Sequence, residues 1–205
     1  MGAEGAAVTG KFSAGGGAFF LIAAAVLFGA AEFLLLVVIA AGAHELGHYL
    51  VLKIRGGRVL GVRLGLTGVT LVYERSQTYA QEIFTAAAGP AASAALAIAM
   101  ALTARLTRFD PAYRLAGMSL LFCIFNLLPV FPLDGGRILY AATARALNLT
   151  AADRVTCISS CAVIFAALCA GAYVLALTRT NFTLLAAAGW LLICYCKNES
   201  DSIKF

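Results

Sequence analysis

The chain has 205 residues, of which 62% are hydrophobic and only 12% are charged, and its net charge is +5. A soluble domain usually carries about 25% charged residues, so this chain has more apolar surface than one small water-exposed fold can bury. The expected surroundings are therefore lipid, and the length predicts a single domain. The basic residues lie beside apolar runs, which favours a membrane-orientation signal over nucleic-acid binding.

The apolar runs predict an all-α polytopic membrane protein with about six transmembrane helices. A span needs about 20 mainly apolar residues. The predicted spans are 12–30, 32–54, 79–104, 112–131, 155–178 and 181–196, with an interfacial helix or the start of the fifth span at 138–149. The predicted membrane domain covers residues 12–197.

The stretch at residues 56–74 has a different character from the helical runs. Glycines interrupt it at short intervals, and branched residues lie between them. Glycine disfavours helix and branched side chains favour strand, so this stretch predicts a short β-hairpin after the second helix. Such a hairpin is either a simple connector or an open edge that pairs with an extended substrate.

The second apolar run carries the motif HELGH at residues 44–48, which contains the only two histidines of the chain. On a helix, His44 and His48 lie on one face, one turn apart, and can share one ion. Glu45 lies beside them, where a carboxylate can act on water at the metal. Two such histidines and a neighbouring Glu are the arrangement of zinc hydrolases. The alternative is a chance match, but polar side chains in an apolar helix are costly without a function.

A second unusual stretch, NLLPVFPLDGGR at residues 126–137, interrupts the fourth apolar run. Pro129 and Pro132 prevent a regular helix there. Irregular backbone at membrane depth is tolerated only where it is buried in protein or lines a wet cavity. Asp134 is therefore well placed to face inward, as a third zinc ligand that leaves one coordination position open. The alternative is that Asp134 caps the following helix.

The basic residues give an orientation. Lys53, Arg55, Arg58 and Arg63 follow the HELGH helix closely. By the positive-inside bias this end is cytoplasmic, so the metal would lie toward the cytoplasmic face. Arg105 and Arg108, in a loop predicted to lie outside, oppose this bias.

Taken together, HELGH and NLLPVFPLDGG, with Ala88-Gly89-Pro90 between them, resemble the site-2 protease family of intramembrane zinc metalloproteases. Within that family the chain looks most like the sporulation branch, stage IV sporulation protein FB, which processes a membrane-associated pro-sigma factor. The resemblance implies that His44, His48 and Asp134 bind one Zn²⁺ and that Glu45 is the general base. It also implies that Asn126 holds the scissile carbonyl or the substrate backbone.

Two departures limit what the resemblance implies. Many relatives have Asn at the position of Ser93, so a substrate contact there is not carried over. The chain shows neither the nucleotide-sensing domain of the sporulation branch nor a PDZ domain. Regulation through such domains is therefore not expected from this sequence.

The predicted function is intramembrane zinc endopeptidase activity on a membrane-associated protein, such as a pro-sigma or anti-sigma factor, near the cytoplasmic face of a bacterial cell membrane. The expected partners are this substrate and the lipid bilayer, without nucleic acid; regulatory membrane proteins and a homo-oligomer are compatible with the sequence. One alternative is a zinc transporter. A transporter, however, should have polar residues along the whole path across the bilayer. The other is a non-catalytic scaffold, which would not need Glu45.

Overall fold

The computed structural model describes residues 13–14, 31–56, 59–65, 68–73 and 78–202. These residues form three strands and six helices. The strands are β1 (Ser13–Ala14), β2 (Val59–Gly65) and β3 (Gly68–Tyr73). The helices are α1 (Ala31–Ile54), α2 (Tyr79–Thr107), α3 (Asp110–Asn126), α4 (Asp134–Ala146), α5 (Leu149–Thr178) and α6 (Thr183–Ser202).

Three of the described helices are long and apolar enough to cross a membrane: Glu32–Ile54, Tyr79–Thr107 and Leu149–Thr178. The count of about six spans is therefore not supported. Helix α3 has only 17 residues and includes charged side chains, and the apolar part of α6 is shorter still. The fourth predicted run, 112–131, is interrupted because an irregular segment, residues 127–133, follows Asn126. The first predicted span, 12–30, lies outside the described residues except for β1.

The strands form one sheet in the order β1-β2-β3. Strands β2 and β3 are antiparallel, with Val62 opposite Leu71, and the register shifts between Val59 and Gly61. Strand β1 pairs with β2 in parallel, with Ser13 opposite Arg63. Among the described strands, β3 pairs with β2 only.

Two compact units can be distinguished in the chain. The first comprises Met1–Ser76 and Ala91–Phe122, and the second comprises Gln77–Pro90 and Cys123–Phe205. The core of the second unit contains Val130, Leu133, Ile164 and Leu191. Helices α5 and α6 approach closely in that unit, since a Cβ at Gly171 would lie 2.8 Å from the backbone nitrogen of Leu185. A small residue at such a contact is typical of membrane helices.

Helix α2 begins with a reciprocal cap. The backbone N–H of Thr78 donates to Gln81 Oε1 at 2.9 Å, and the N–H of Gln81 donates to Thr78 Oγ1 at 3.4 Å. This capping box satisfies two of the amides that a helix start leaves without partners. It fixes the start of the helix that carries Glu82 and Ser93.

The irregular segment between α3 and α4 is held by two serines of α5. Ser159 Oγ donates to the Pro129 carbonyl oxygen at 2.9 Å, and the Phe131 N–H donates to Ser160 Oγ at 3.0 Å. Unpaired backbone groups are costly where lipid replaces water. The serines therefore stabilise the break that the prolines impose, and the break leads directly to Asp134.

Helix α4 starts immediately after this segment. Its N-cap is Leu133, which makes no side-chain capping bond, and Asp134 is its first residue. The alternative reading of Asp134 as the helix cap is therefore wrong. The carboxylate instead accepts a hydrogen bond from Arg137, three residues along the helix.

Candidate metal centre

The two histidines lie together on the buried face of α1. Their exposed fractions are only 4% for His44 and 7% for His48. The Nε2 atoms are 3.2 Å apart. Two nitrogens that each lie about 2.0–2.1 Å from one tetrahedral zinc are about 3.3 Å apart. The helix thus presents the two imidazoles at ligand spacing, as the i, i+4 motif predicted.

The second ring nitrogen of His44 has a buried partner. His44 Nδ1 lies 2.9 Å from Ser93 Oγ, and Ser93 is completely buried in α2. A metal-binding histidine commonly donates its other ring N–H to an outer partner, which fixes its tautomer and orientation. With the proton on Nδ1 and donated to Ser93, Nε2 carries the lone pair that a metal needs.

We expect Ser93→Ala to weaken zinc binding about 10- to 100-fold, because outer partners of metal ligands contribute on that scale. Ser93→Thr should bind zinc more tightly than Ser93→Ala, because the hydroxyl is kept. Ser119→Ala is the matched control, since Ser119 is equally buried and its hydroxyl has no hydrogen-bond partner among the described residues. Zinc titration of purified protein against a chromophoric chelator measures the effect. Equal affinities for native chain and Ser93→Ala would contradict this role.

Asp134 is also buried, with 5% exposure. Its Oδ1 accepts from Arg137 Nη1 at 3.1 Å. Arg137 in turn donates to Glu82 Oε1 through Nη2 at 2.8 Å and through Nε at 3.0 Å. The carboxylate is thus fixed by an arginine that is itself held by a second carboxylate.

Ligand atoms of His44, His48 and Asp134 all lie within 4.8 Å of one another, and all three residues are buried. They form a potential metal-binding site. Two imidazole nitrogens and one carboxylate oxygen suit zinc, and a catalytic zinc site takes three protein ligands and keeps one position open. The donor set therefore fits the predicted cofactor.

The remaining predicted site residues are half-buried. Glu45 follows His44 directly on α1, and Asn126 is the last residue of α3 before the irregular segment. Their catalytic roles stay predictions. Sequence reasoning missed Ser93 as a histidine partner, and it missed Glu82 and Arg137. Opposite charges in apolar stretches were a usable signal for the last two, since such charges usually pair inside membranes.

A family model described as Peptidase M50B-like matches residues 17–133, and one described as Peptidase family M50 matches residues 102–170. The chain belongs to peptidase family M50, the site-2 protease family. Membership of a peptidase family agrees with the predicted reaction class, and the buried donor set agrees with the predicted zinc cofactor. It also supports an integral membrane protein, in agreement with the three apolar helices.

Two named bacterial proteins are similar to this M50 chain. Rip3 of Mycobacterium tuberculosis, named as a zinc metalloprotease, is 33% identical over 179 residues, which are 79% of this chain and 44% of Rip3. The zinc metalloprotease sll0528 of Synechocystis is 36% identical over 103 residues, 47% of this chain and 27% of that protein. The chain thus spans less than half the length of the curated relatives it matches.

The fold has a solved counterpart. The Site-2 Protease from Methanocaldococcus jannaschii superposes with a TM-score of 0.68 at 22% identity, covering 88% of this chain and 85% of that one. This similarity shows a site-2 protease fold. The family-model matches confirm the predicted family, whereas the specific similarity to the sporulation branch is not confirmed.

Proposed function

We propose that this M50 chain is an intramembrane zinc endopeptidase in which His44, His48 and Asp134 hold one zinc ion. The observation that carries the proposal is the close, buried grouping of these three ligands. The histidines lie on an apolar helix long enough to span a bilayer. Buried ionisable groups in such surroundings are costly and therefore indicate function.

Glu45 is the general base in this proposal. When bound, zinc supplies Lewis acidity toward water and toward the scissile carbonyl. Glu45 accepts the proton of the attacking water and returns a proton to the leaving amine. Asn126 orients the substrate carbonyl or backbone. Its place at the end of α3, next to the irregular segment, is compatible with that role.

The substrate we propose is a membrane-associated protein, such as a pro-sigma factor or an anti-sigma factor. A helical substrate must unwind locally, because helical hydrogen bonds hide its peptide groups. Strand β3, at one edge of the sheet, can offset the lost bonds by pairing with the unwound segment. The exposed Lys53 and Arg55 at the end of α1 favour a cytoplasmic position for this end of the helix.

Co-expression with candidate single-span membrane proteins in bacteria tests the proposal. We expect a shortened product with the native chain and none with His48→Ala, because loss of one ligand removes zinc. Fragments that persist with His48→Ala would contradict the proposal. Zinc transport is the competing outcome: zinc flux into sealed vesicles that contain the native chain, without any cleaved substrate, would favour it.

A further inference from the structure

Three charged side chains of the second unit form a continuous chain of hydrogen bonds. Glu82 lies in the first turn of α2, and Asp134 and Arg137 lie in the first turn of α4. The side chains of Glu82 and Arg137 are 28% and 21% exposed, and that of Asp134 is 6% exposed. Asp134 is thus buried, and Glu82 and Arg137 are partly buried. Charged side chains that are removed from solvent in this way are paired with one another.

The geometry uses the planar shape of the guanidinium. Nε and Nη2 of Arg137 both donate to Glu82 Oε1, and Nη1 donates to Asp134 Oδ1. Because these nitrogens are fixed in one plane, the position of Glu82 sets the direction from which Asp134 is held. A carboxylate has about four acceptor sites, so a bond from Arg137 leaves capacity for a metal.

We propose that Arg137 is the positioning residue for Asp134 and that Glu82 balances the charge of Arg137 beside the metal. This inference rests on the proposed function, since it assigns Asp134 as a zinc ligand. Hydrogen-bonded outer partners orient ligating carboxylates and tune metal affinity. Glu82, on a different helix from Asp134, thereby becomes part of the metal centre.

The charge balance explains why an arginine is tolerated at this position. A divalent ion held by two neutral imidazoles and one carboxylate keeps a net positive charge. A nearby guanidinium would repel that ion, and the repulsion is stronger away from bulk water. Glu82 Oε1 lies 2.8 Å from Arg137 Nη2, and its negative charge cancels the positive charge of the guanidinium. Arg137 can then orient Asp134 without opposing the metal.

Arg137→Lys is the first test, because lysine keeps the positive charge but has one donor nitrogen in place of the three guanidinium nitrogens. We expect zinc affinity of the purified full chain in detergent to fall about 10- to 100-fold. We also expect the visible absorption of bound Co²⁺ to change, because the ligand geometry changes. Arg145→Lys, at an exposed position in the last turn of the same helix, is the matched control. Native affinity and an unchanged Co²⁺ spectrum in Arg137→Lys would overturn the positioning role.

Glu82→Gln is the second test, and it isolates charge from geometry. The amide oxygen can still accept from Arg137, so the fold is kept while the arginine charge becomes unbalanced. We expect weaker zinc binding with little change in the unfolding temperature of the metal-free protein. Asp153→Asn, on an exposed position of α5, is the control. Unchanged zinc affinity in Glu82→Gln would overturn the charge-balancing role.

The proposed function can fail separately from this inference. Asp134→Asn should weaken zinc binding at least as much as Arg137→Lys. If Asp134→Asn binds zinc as the native chain does, the ligand set fails, and the inference fails with it. If Asp134→Asn loses zinc while Arg137→Lys and Glu82→Gln bind it normally, the ligand set stands and only the inference is overturned.

Discussion

Glu45→Gln retains zinc and loses proteolysis, if Glu45 is the base that the motif indicates. Glutamine has nearly the same shape but cannot accept the proton of the attacking water. General acid–base catalysis contributes about 10²- to 10⁴-fold, so cleavage should fall by at least about 10²-fold. Zinc content should stay at the native level, because His44, His48 and Asp134 are unchanged. Metal analysis and fragment formation on the same preparation measure both effects.

The same helix offers the control for this substitution. Glu32 lies in the first turn of α1 and is exposed. Its Oε2 forms an ion pair with Arg114 Nη1 at 3.7 Å. Such an exposed pair contributes little to stability, so Glu32→Gln should cleave as the native chain does. Undiminished cleavage by zinc-loaded Glu45→Gln would rule out Glu45 as the base. Loss of zinc in that variant would instead assign Glu45 a role in binding the metal.

Gly135→Ala is expected to disrupt the metal centre through the backbone. A Cβ at this position would overlap the Leu127 carbonyl group and lie 2.5 Å from the Leu128 carbonyl oxygen. These are backbone atoms of the irregular segment, so the segment or helix α4 must move. Overpacking of this kind costs about 1–3 kcal/mol, occasionally more. Because Asp134 precedes Gly135 directly, we expect zinc affinity to fall at least about 10-fold along with the unfolding temperature.

Gly136→Ala should behave similarly, since its Cβ would lie 2.5 Å from the Phe131 nitrogen and from the Val130 carbonyl oxygen. Gly117 and Gly189 provide controls, because a Cβ at either helical position meets nothing within 4 Å. Alanine there should be neutral or stabilising by up to about 1 kcal/mol, as helix propensity predicts. Zinc titration and thermal unfolding in detergent compare the four variants. Native zinc affinity in Gly135→Ala would show that Asp134 tolerates movement of its turn.

The sequence predicted the local parts of the centre well. The i, i+4 spacing placed His44 and His48 on one face because helical geometry alone determines it. The helix that carries them was predicted at 32–54 and is observed at Ala31–Ile54. The prolines at positions 129 and 132 identified the break before Asp134. In each case the deciding interaction lies within a few residues along the chain.

Long-range features could not be predicted in the same way. Serine in a small-residue helix is typical of packing, so nothing in the sequence indicated that Ser93 would meet His44, 49 residues away. The pairing of Arg137 with Glu82 also joins distant segments. Hydropathy does not show where a helix ends inside an apolar run, which is why the fourth predicted span, 112–131, does not match the observed helix α3. Asn126 ends α3 there, although the residues after it remain apolar.

The two serines of α5 make the irregular segment sensitive to substitution at a distance along the chain. Ser159 and Ser160 hold the Pro129 carbonyl and the Phe131 amide, yet they lie on a strongly apolar helix. Replacing them by valine would raise the hydrophobicity of the helix. A hydropathy-based estimate of membrane insertion would therefore give these substitutions as favourable. A saturation mutagenesis screen should nevertheless show that both positions tolerate few substitutions, whereas exposed neighbours such as Ile158 tolerate many.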